Sequence, residues 1–88
     1  MEFTHTLLYF SAEWCRPCKV MSKSVAEVVK DHPEWLVSKV DVEEQADFAD
    51  GYNIKSLPTV ILIDSEGTEV ARIMGASSPA DLRTELGV

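Results

Sequence analysis

The amino-acid sequence predicts an α/β fold, a four-stranded mixed sheet flanked by three helices in the order β-α-β-α-β-β-α. Three observations carry this expectation. Residues 6–10 and 59–63 are short, nearly continuous apolar runs, the mark of strands buried on both faces. Residues 16–31 and 78–88 space their apolar side chains at helical intervals. The first strand–helix–strand unit calls for a parallel, right-handed crossover, while the strand at 59–63 is followed by a tight turn that sends its partner back antiparallel.

Each element has a local reason. Thr6 to Phe10 is the first strand, followed by Ser11-Ala12-Glu13. From about Arg16 to Asp31, the residues Val20, Met21, Val25, Val28 and Val29 define an apolar helix side, with Lys19, Lys23, Glu27 and Lys30 between them. Pro17 sits in the first turn, where no amide donor is needed, and Asp31-His32-Pro33 ends the helix. Trp35 to Val42 alternates, with Leu36, Ser38, Val40 and Val42 interleaved among other types, and reads as the second strand. Glu44 to Tyr52 is a short helix with Ala46, Phe48 and Ala49 inward and with Gly51 and Asn53 as stop residues. Thr59 to Ile63 is the strongest strand signal. Asp64-Ser65-Glu66-Gly67 is a turn, and Thr68 to Met74 is the returning strand. Ser78-Pro79-Ala80-Asp81 is a capped helix start, with Leu82, Leu86 and Val88 on the apolar side.

At 88 residues the chain has room for one domain, 1–88, with a modest core. A hydrophobic fraction of 45% beside 26% charged residues fits a packed globular chain and not a disordered one. No apolar stretch is long enough for a membrane span, and the N-terminus shows no basic and apolar leader pattern, so a cytoplasmic setting is expected. The net charge of −7 is repelled by phosphate backbones and anionic lipid, which argues against nucleic acid and membrane surfaces as partners.

The chemistry is concentrated in Trp14-Cys15-Arg16-Pro17-Cys18, just after a buried strand and just where a helix begins. Residues three apart in a first helical turn share a face, so the two sulfurs can meet. The free amides and positive dipole end of the helix favour an anion there, and the Cys15 thiolate is the group placed to benefit. Arg16 adds a nearby cation that acts in the same direction. Cys18, one turn further in, is the expected resolving thiol and the more buried of the two. A bridge across two intervening residues closes a tiny loop and adds little stability, so the pair is better explained by chemistry than by stapling. A four-ligand zinc site needs two more ligands, and His5 and His32 are not spaced as a pair, so no metal is expected.

The segment Ser11-Ala12-Glu13-Trp14-Cys15-Arg16-Pro17-Cys18-Lys19 resembles the active-site segment of thioredoxins, with Arg16 where glycine is usual. Ser56-Leu57-Pro58-Thr59 resembles the family's cis-proline loop. Val37-Ser38-Lys39-Val40-Asp41 resembles the strand carrying its buried lysine, and Gly67 and Gly75 match its hairpin and late-strand glycines. The resemblance covers nearly the whole chain and implies a minimal thioredoxin-like fold, without the strand and helix that usually precede the first strand here. It further implies that Cys15 and Cys18 are catalytic. Pro58 is then cis and sets the Leu57 backbone beside Cys15 for a substrate strand. Trp14, Arg16 and Pro17 border the docking surface, Trp14 covers the disulfide, Gly75 allows close approach, and Lys39 supports the site. Two further positions depart from the pattern: Tyr9 stands where the family has a buried acid, and Lys23 where it has a helix-kinking proline.

The implied activity is reduction of protein disulfides by a monomer that needs no organic cofactor and is recycled by a thioredoxin-reductase-like donor. Two alternatives stand beside it. A glutathione-fed, glutaredoxin-like enzyme suits the small size and the missing carboxylate, although Trp14 and the single Gly75 count against it. A non-catalytic thioredoxin-fold binding subunit is the alternative from another class.

Overall fold

The computed structural model describes residues 3–88. In chain order the elements are β1 (His5–Ser11), α1 (Arg16–Val29), β2 (Trp35–Asp41), α2 (Ala46–Gly51), β3 (Thr59–Asp64), β4 (Glu69–Met74) and α3 (Pro79–Leu86). The sheet runs β2-β1-β3-β4, with β1 parallel to β2, β1 antiparallel to β3, and β3 antiparallel to β4. This is the expected mixed sheet, with the two apolar runs as its central strands.

Alternation along β1 divides the core into two layers. Leu7 and Tyr9 join Met21, Val25 and Val28 of α1 and Leu82 and Leu86 of α3 on one face. Leu8 and Phe10 join Val40, Ala49, Ile61 and Ile63 beneath α2 on the other. Burial on both sides is why the residues of β1 and β3 read as unbroken apolar runs. It also means that a one-residue register slip finds no polar side to expose.

The helix ends follow the sequence closely. Ser78 caps α3, its hydroxyl accepting from the Asp81 amide at 3.1 Å, and Gly87 ends the helix in the left-handed conformation. The Asp64 carboxylate accepts from the Glu66 and Thr68 amides, both at 2.9 Å, and so shapes the β3–β4 turn. Asn53 takes a positive φ of 59° just beyond α2.

Five placements differ from expectation. Val20 is exposed, because it lies roughly 100° around α1 from the centre of the buried arc. Leu36 is exposed while Trp35 and Val40 are buried. The reason is length: the six residues of α2 span about 9 Å, whereas the seven of β2 extend about 23 Å, so part of that strand face has no cover. Ala46 is exposed and Ala49 buried, while Phe48 is inward only in part, its ring stacked on Phe10 at 6.2 Å with 43% of the residue exposed. The helix begins at Ala46 and not at Glu44, because the Asp41 carboxylate holds the Glu43 and Glu44 amides in a turn, at 2.8 and 3.2 Å. Val88 is half exposed beyond the last turn of α3.

Candidate active site

The site forms where β1 ends and α1 begins. Cys15 is the N-cap of α1, in extended conformation, and its Sγ accepts the Cys18 amide at 3.2 Å. That amide is one of the donors a helix start leaves without an intrahelical partner, so the sulfur occupies the natural anion position of the helix. Cys15 and Cys18 are joined as a disulfide, with Cα atoms 5.3 Å apart. Pro17 lies in the first turn, as expected.

Both sulfur-bearing residues are buried, Cys15 at 4% and Cys18 at 3% exposure, so the greater burial expected of Cys18 is too slight to divide their roles. The loop before α1 folds back, the Cys15 amide bonding to the Ala12 carbonyl at 3.1 Å, and this tucks the disulfide under the chain. The two residues differ in what they border. Cys15 lines a groove of about 720 Å³, bounded by Trp14, Arg16 and Pro17 on one side and by Val42, Ile54 and Leu57 on the other. Cys18 lines a smaller cavity of about 230 Å³ with Tyr9, Glu13, Lys19, Ser22 and Lys39.

Trp14 is 67% exposed, and its indole Nε1 donates to the Glu43 carboxylate at 2.6 Å. The ring is thereby held at the groove wall by a partner 29 residues away. Opposite, the Leu57–Pro58 bond is cis, as expected. The loop is pinned by Thr59 Oγ1 donating to the Ser56 carbonyl at 2.7 Å and by the Gly75 amide donating to the Pro58 carbonyl at 2.8 Å. Among the described residues, Leu57 makes no backbone hydrogen bond. Gly75 has a φ of 90°, a conformation that glycine adopts without strain, and the space its Cβ would fill is open. Within the chain itself, what this position requires of glycine is conformation.

Tyr9 is buried against α1. Its hydroxyl donates to the Cys18 carbonyl and accepts from Ser22 Oγ at 3.2 Å. The phenol proton is therefore committed to the backbone and not to a sulfur. Lys39 pairs with Tyr9 across β1 and β2, but it is exposed, which corrects the expectation of a buried lysine. β2 is an edge strand, and Lys39 borders the smaller cavity at its open side.

The comparisons with known proteins agree with this geometry. The thioredoxin family model matches residues 2–87. This chain belongs to the thioredoxin family. Thioredoxin C-3 of Corynebacterium nephridii is 40% identical over 72 residues, covering 82% of this chain and 49% of that protein. An H-type thioredoxin of Fagopyrum esculentum is 40% identical over 67 residues, covering 76% and 57%. The chain thus spans about half the length of these thioredoxins. Among solved structures, a thioredoxin from Fasciola hepatica superposes with a TM-score of 0.85 at 31% identity, covering 98% of this chain and 81% of that one. Oxidised mitochondrial thioredoxin 3 of Saccharomyces cerevisiae gives 0.84 at 28% identity, covering 97% and 78%.

Of the thioredoxin motif residues read from sequence, Trp14, Cys15, Arg16, Pro17 and Leu57 line one groove, Cys18 and Lys39 line the smaller cavity, and Pro58 and Gly75 are hydrogen-bonded to each other next to Leu57 without lining either. Sequence reasoning missed the far wall of that groove, Val42, Ile54 and Asp50, and the Trp14–Glu43 bond. No local signal ties Glu43 to Trp14, since the pairing is made by the fold. Among the described residues no cluster of three or more His, Cys, Asp or Glu side chains is placed to hold a metal ion, and no helix is long and apolar enough to cross a membrane.

Proposed function

We propose that the chain is a protein-disulfide reductase working through Cys15 and Cys18. The observation that carries this reading is the Cys15 sulfur at the cap of α1, accepting the Cys18 amide and opening on the groove. In the reduced form the amide and the helix end stabilise the Cys15 thiolate. The thiolate attacks one sulfur of a substrate disulfide, and the substrate's other sulfur leaves as a thiolate and takes a proton from solvent. Cys18 loses its proton and attacks the Cys15 sulfur of the mixed disulfide, releasing the second substrate thiol and re-forming Cys15–Cys18. Two electrons have passed to the substrate, and a dithiol donor returns them.

The remaining residues have roles that follow from their places. An extended substrate segment pairs with the unpartnered Leu57 backbone, held in position by Pro58. Trp14, Arg16 and Pro17 frame the substrate from the α1 side, and Gly75 leaves room beside the loop. Lys39 supports Cys18 through its charge at the mouth of the smaller cavity. The unit acts as one domain over 1–88, as a monomer, in the cytoplasm, on protein disulfides, with a thioredoxin-reductase-like donor.

The test is turnover of insulin disulfides with NADPH and thioredoxin reductase, run beside glutathione with its reductase. Turnover with the first pair supports the reading. Turnover with glutathione alone moves the chain to a glutaredoxin-like activity. Failure with both, with a partner-binding role that survives replacement of both cysteines by Ser, makes it a binding subunit.

A further inference from the structure

The chain carries a net charge of −7, yet its unpaired cations gather at the redox site. Lys30, Arg72 and Arg83 each have a carboxylate partner, Glu27, Glu69 and Asp31. Among the described residues the other five have none: Lys55 borders the groove and Lys39 the smaller cavity. Arg16, Lys19 and Lys23, all exposed, share one helix. They fall within a roughly 60° arc of α1, opposite the buried arc of Cys18, Met21, Val25 and Val28. The result is a basic stripe that starts beside Cys15 and runs about 12 Å down the helix.

This placement works against the helix. Cations at a helix N-terminus oppose the macrodipole, and carboxylates there would support it. α1 has no acidic residue in its first turn and no basic residue in its last. Its own carboxylate, Glu27, stands near the C-terminal end, where the dipole is also unfavourable. A helix optimised for stability alone would carry the reverse pattern. Of the carboxylates near the groove, Asp50 lines it from within α2 and Glu43, before α2, holds the Trp14 indole. The exposed face of α1 is thus basic from its start to Lys23, whereas the α2 side of the groove carries both signs, Asp50 beside Lys55, within a molecule that is acidic overall.

We propose that the α1 stripe of Arg16, Lys19 and Lys23 is a docking surface for protein substrates that carry acidic residues beside their disulfide. This rests on the disulfide-reductase reading above and names the substrate class of that same site. An acidic chain repels acidic partners at long range, so a local stripe of unpaired cations selects the approach that brings the partner's disulfide to Cys15. The orientation follows: the partner's acidic segment lies along α1, away from Glu43 and Asp50.

The experiment uses two peptides with the same intramolecular disulfide, one flanked by Glu and one by Lys, together with the small neutral bis(2-hydroxyethyl) disulfide. For the unaltered chain, kcat/KM for the Glu-flanked peptide exceeds that for the Lys-flanked one by about tenfold at low salt. The ratio falls to within about twofold of unity at ~0.5 M salt, where screening is nearly complete. The Lys19→Gln/Lys23→Gln double variant loses most of the ratio at low salt, and Lys23→Glu brings it to unity or below. Lys23→Glu leaves turnover of the neutral disulfide unchanged, which shows the protein still folded and competent. A ratio that stays near unity in the unaltered chain, or that persists in Lys23→Glu and the double variant, overturns the stripe. Absence of turnover with the neutral disulfide contradicts instead the reductase reading on which the stripe rests, so the two failures are distinguishable.

Discussion

The two openings at the disulfide differ more than the two cysteines do. Cys15 and Cys18 are almost equally buried, but Cys15 borders a wide groove walled by Trp14, Pro17, Val42 and Leu57, and Cys18 borders a small cavity of largely polar side chains. The groove has room for a peptide segment, with the free Leu57 backbone on one wall. The smaller cavity has room for solvent and for the charges of Glu13, Lys19 and Lys39. The lesson is that a reactive pair is divided into nucleophile and resolving thiol by what each sulfur faces, even where burial makes no distinction. The helix end adds to the division, because the Cys18 amide is directed at Cys15 and its carbonyl is held from behind by Tyr9.

The largest effect that can break this comparison is loss of either sulfur. Cys15→Ser should reduce disulfide turnover to background. Cys18→Ser should still attack once and then stop, accumulating a mixed disulfide that is seen as a substrate-sized mass addition. If Cys15→Ser accumulated the adduct instead, the two roles would be reversed.

The next effect concerns the groove wall. Trp14 is large, exposed and held by Glu43, which are the features of an interface anchor, whose truncation typically costs about 2 kcal/mol. Trp14→Ala should lower kcat/KM for a protein substrate by roughly 30-fold, while reaction with a small disulfide changes far less. Equal losses on both substrates would place Trp14 in the chemistry and not in docking.

Arg16 should have a smaller effect. On the proposed mechanism, a cation beside Cys15 favours its thiolate, which exists only in the reduced form, and so makes the disulfide more oxidising. Preferential stabilisation of about 1 kcal/mol corresponds to roughly 20 mV for a two-electron couple, and screening at this exposed position keeps the shift at or below that size. Arg16→Gly should therefore make the protein a slightly stronger reductant in a glutathione redox equilibrium. A shift in the opposite direction would contradict the assignment of the charge to Cys15.

The smallest effect lies at the far end of the β1–β2 pair. A backbone hydrogen bond, and then the His32 imidazole at 3.1 Å, hold the Glu34 carboxyl below its ordinary value of 4.5. A lowered folded-state value means that Glu34 adds stability above the unfolded-state value and loses it as pH falls through the folded-state value. Glu34→Gln should slightly flatten the acid limb of a stability–pH profile while leaving turnover at neutral pH unchanged. A change in turnover would show that this end of the sheet communicates with the site.

Much of this architecture is legible in the sequence, for physical reasons. β1 and β3 are apolar on both faces, so their type and central position can be read directly. Ser78-Pro79 and Gly87 mark the ends of α3 because caps are local chemistry. The cis Leu57–Pro58 bond was anticipated only through the family resemblance, since an X–Pro pair alone favours trans. What failed depended on distant partners. The resemblance implies a buried Lys39, but burial at an edge strand depends on distant cover, and here Lys39 is exposed beside the smaller cavity. Val20 is an apolar residue that its helix turns outward, because the buried arc is narrower than the apolar pattern suggests, and Phe48 stays partly exposed where its ring stacks on Phe10. At the site, the motif residues were legible and the far wall of the groove was not, because the apolar Val42 and Ile54 and the single carboxylate of Asp50 form no motif and gain significance only by position.

The central claim is that Cys15, at the groove and the helix cap, is the nucleophile. It is tested most directly by reducing the protein, treating it near neutral pH with less than one equivalent of iodoacetamide, and mapping the modified cysteine by mass. The account predicts carbamidomethylation at Cys15 well ahead of Cys18; modification of Cys18 first, or of both at the same rate, would contradict it.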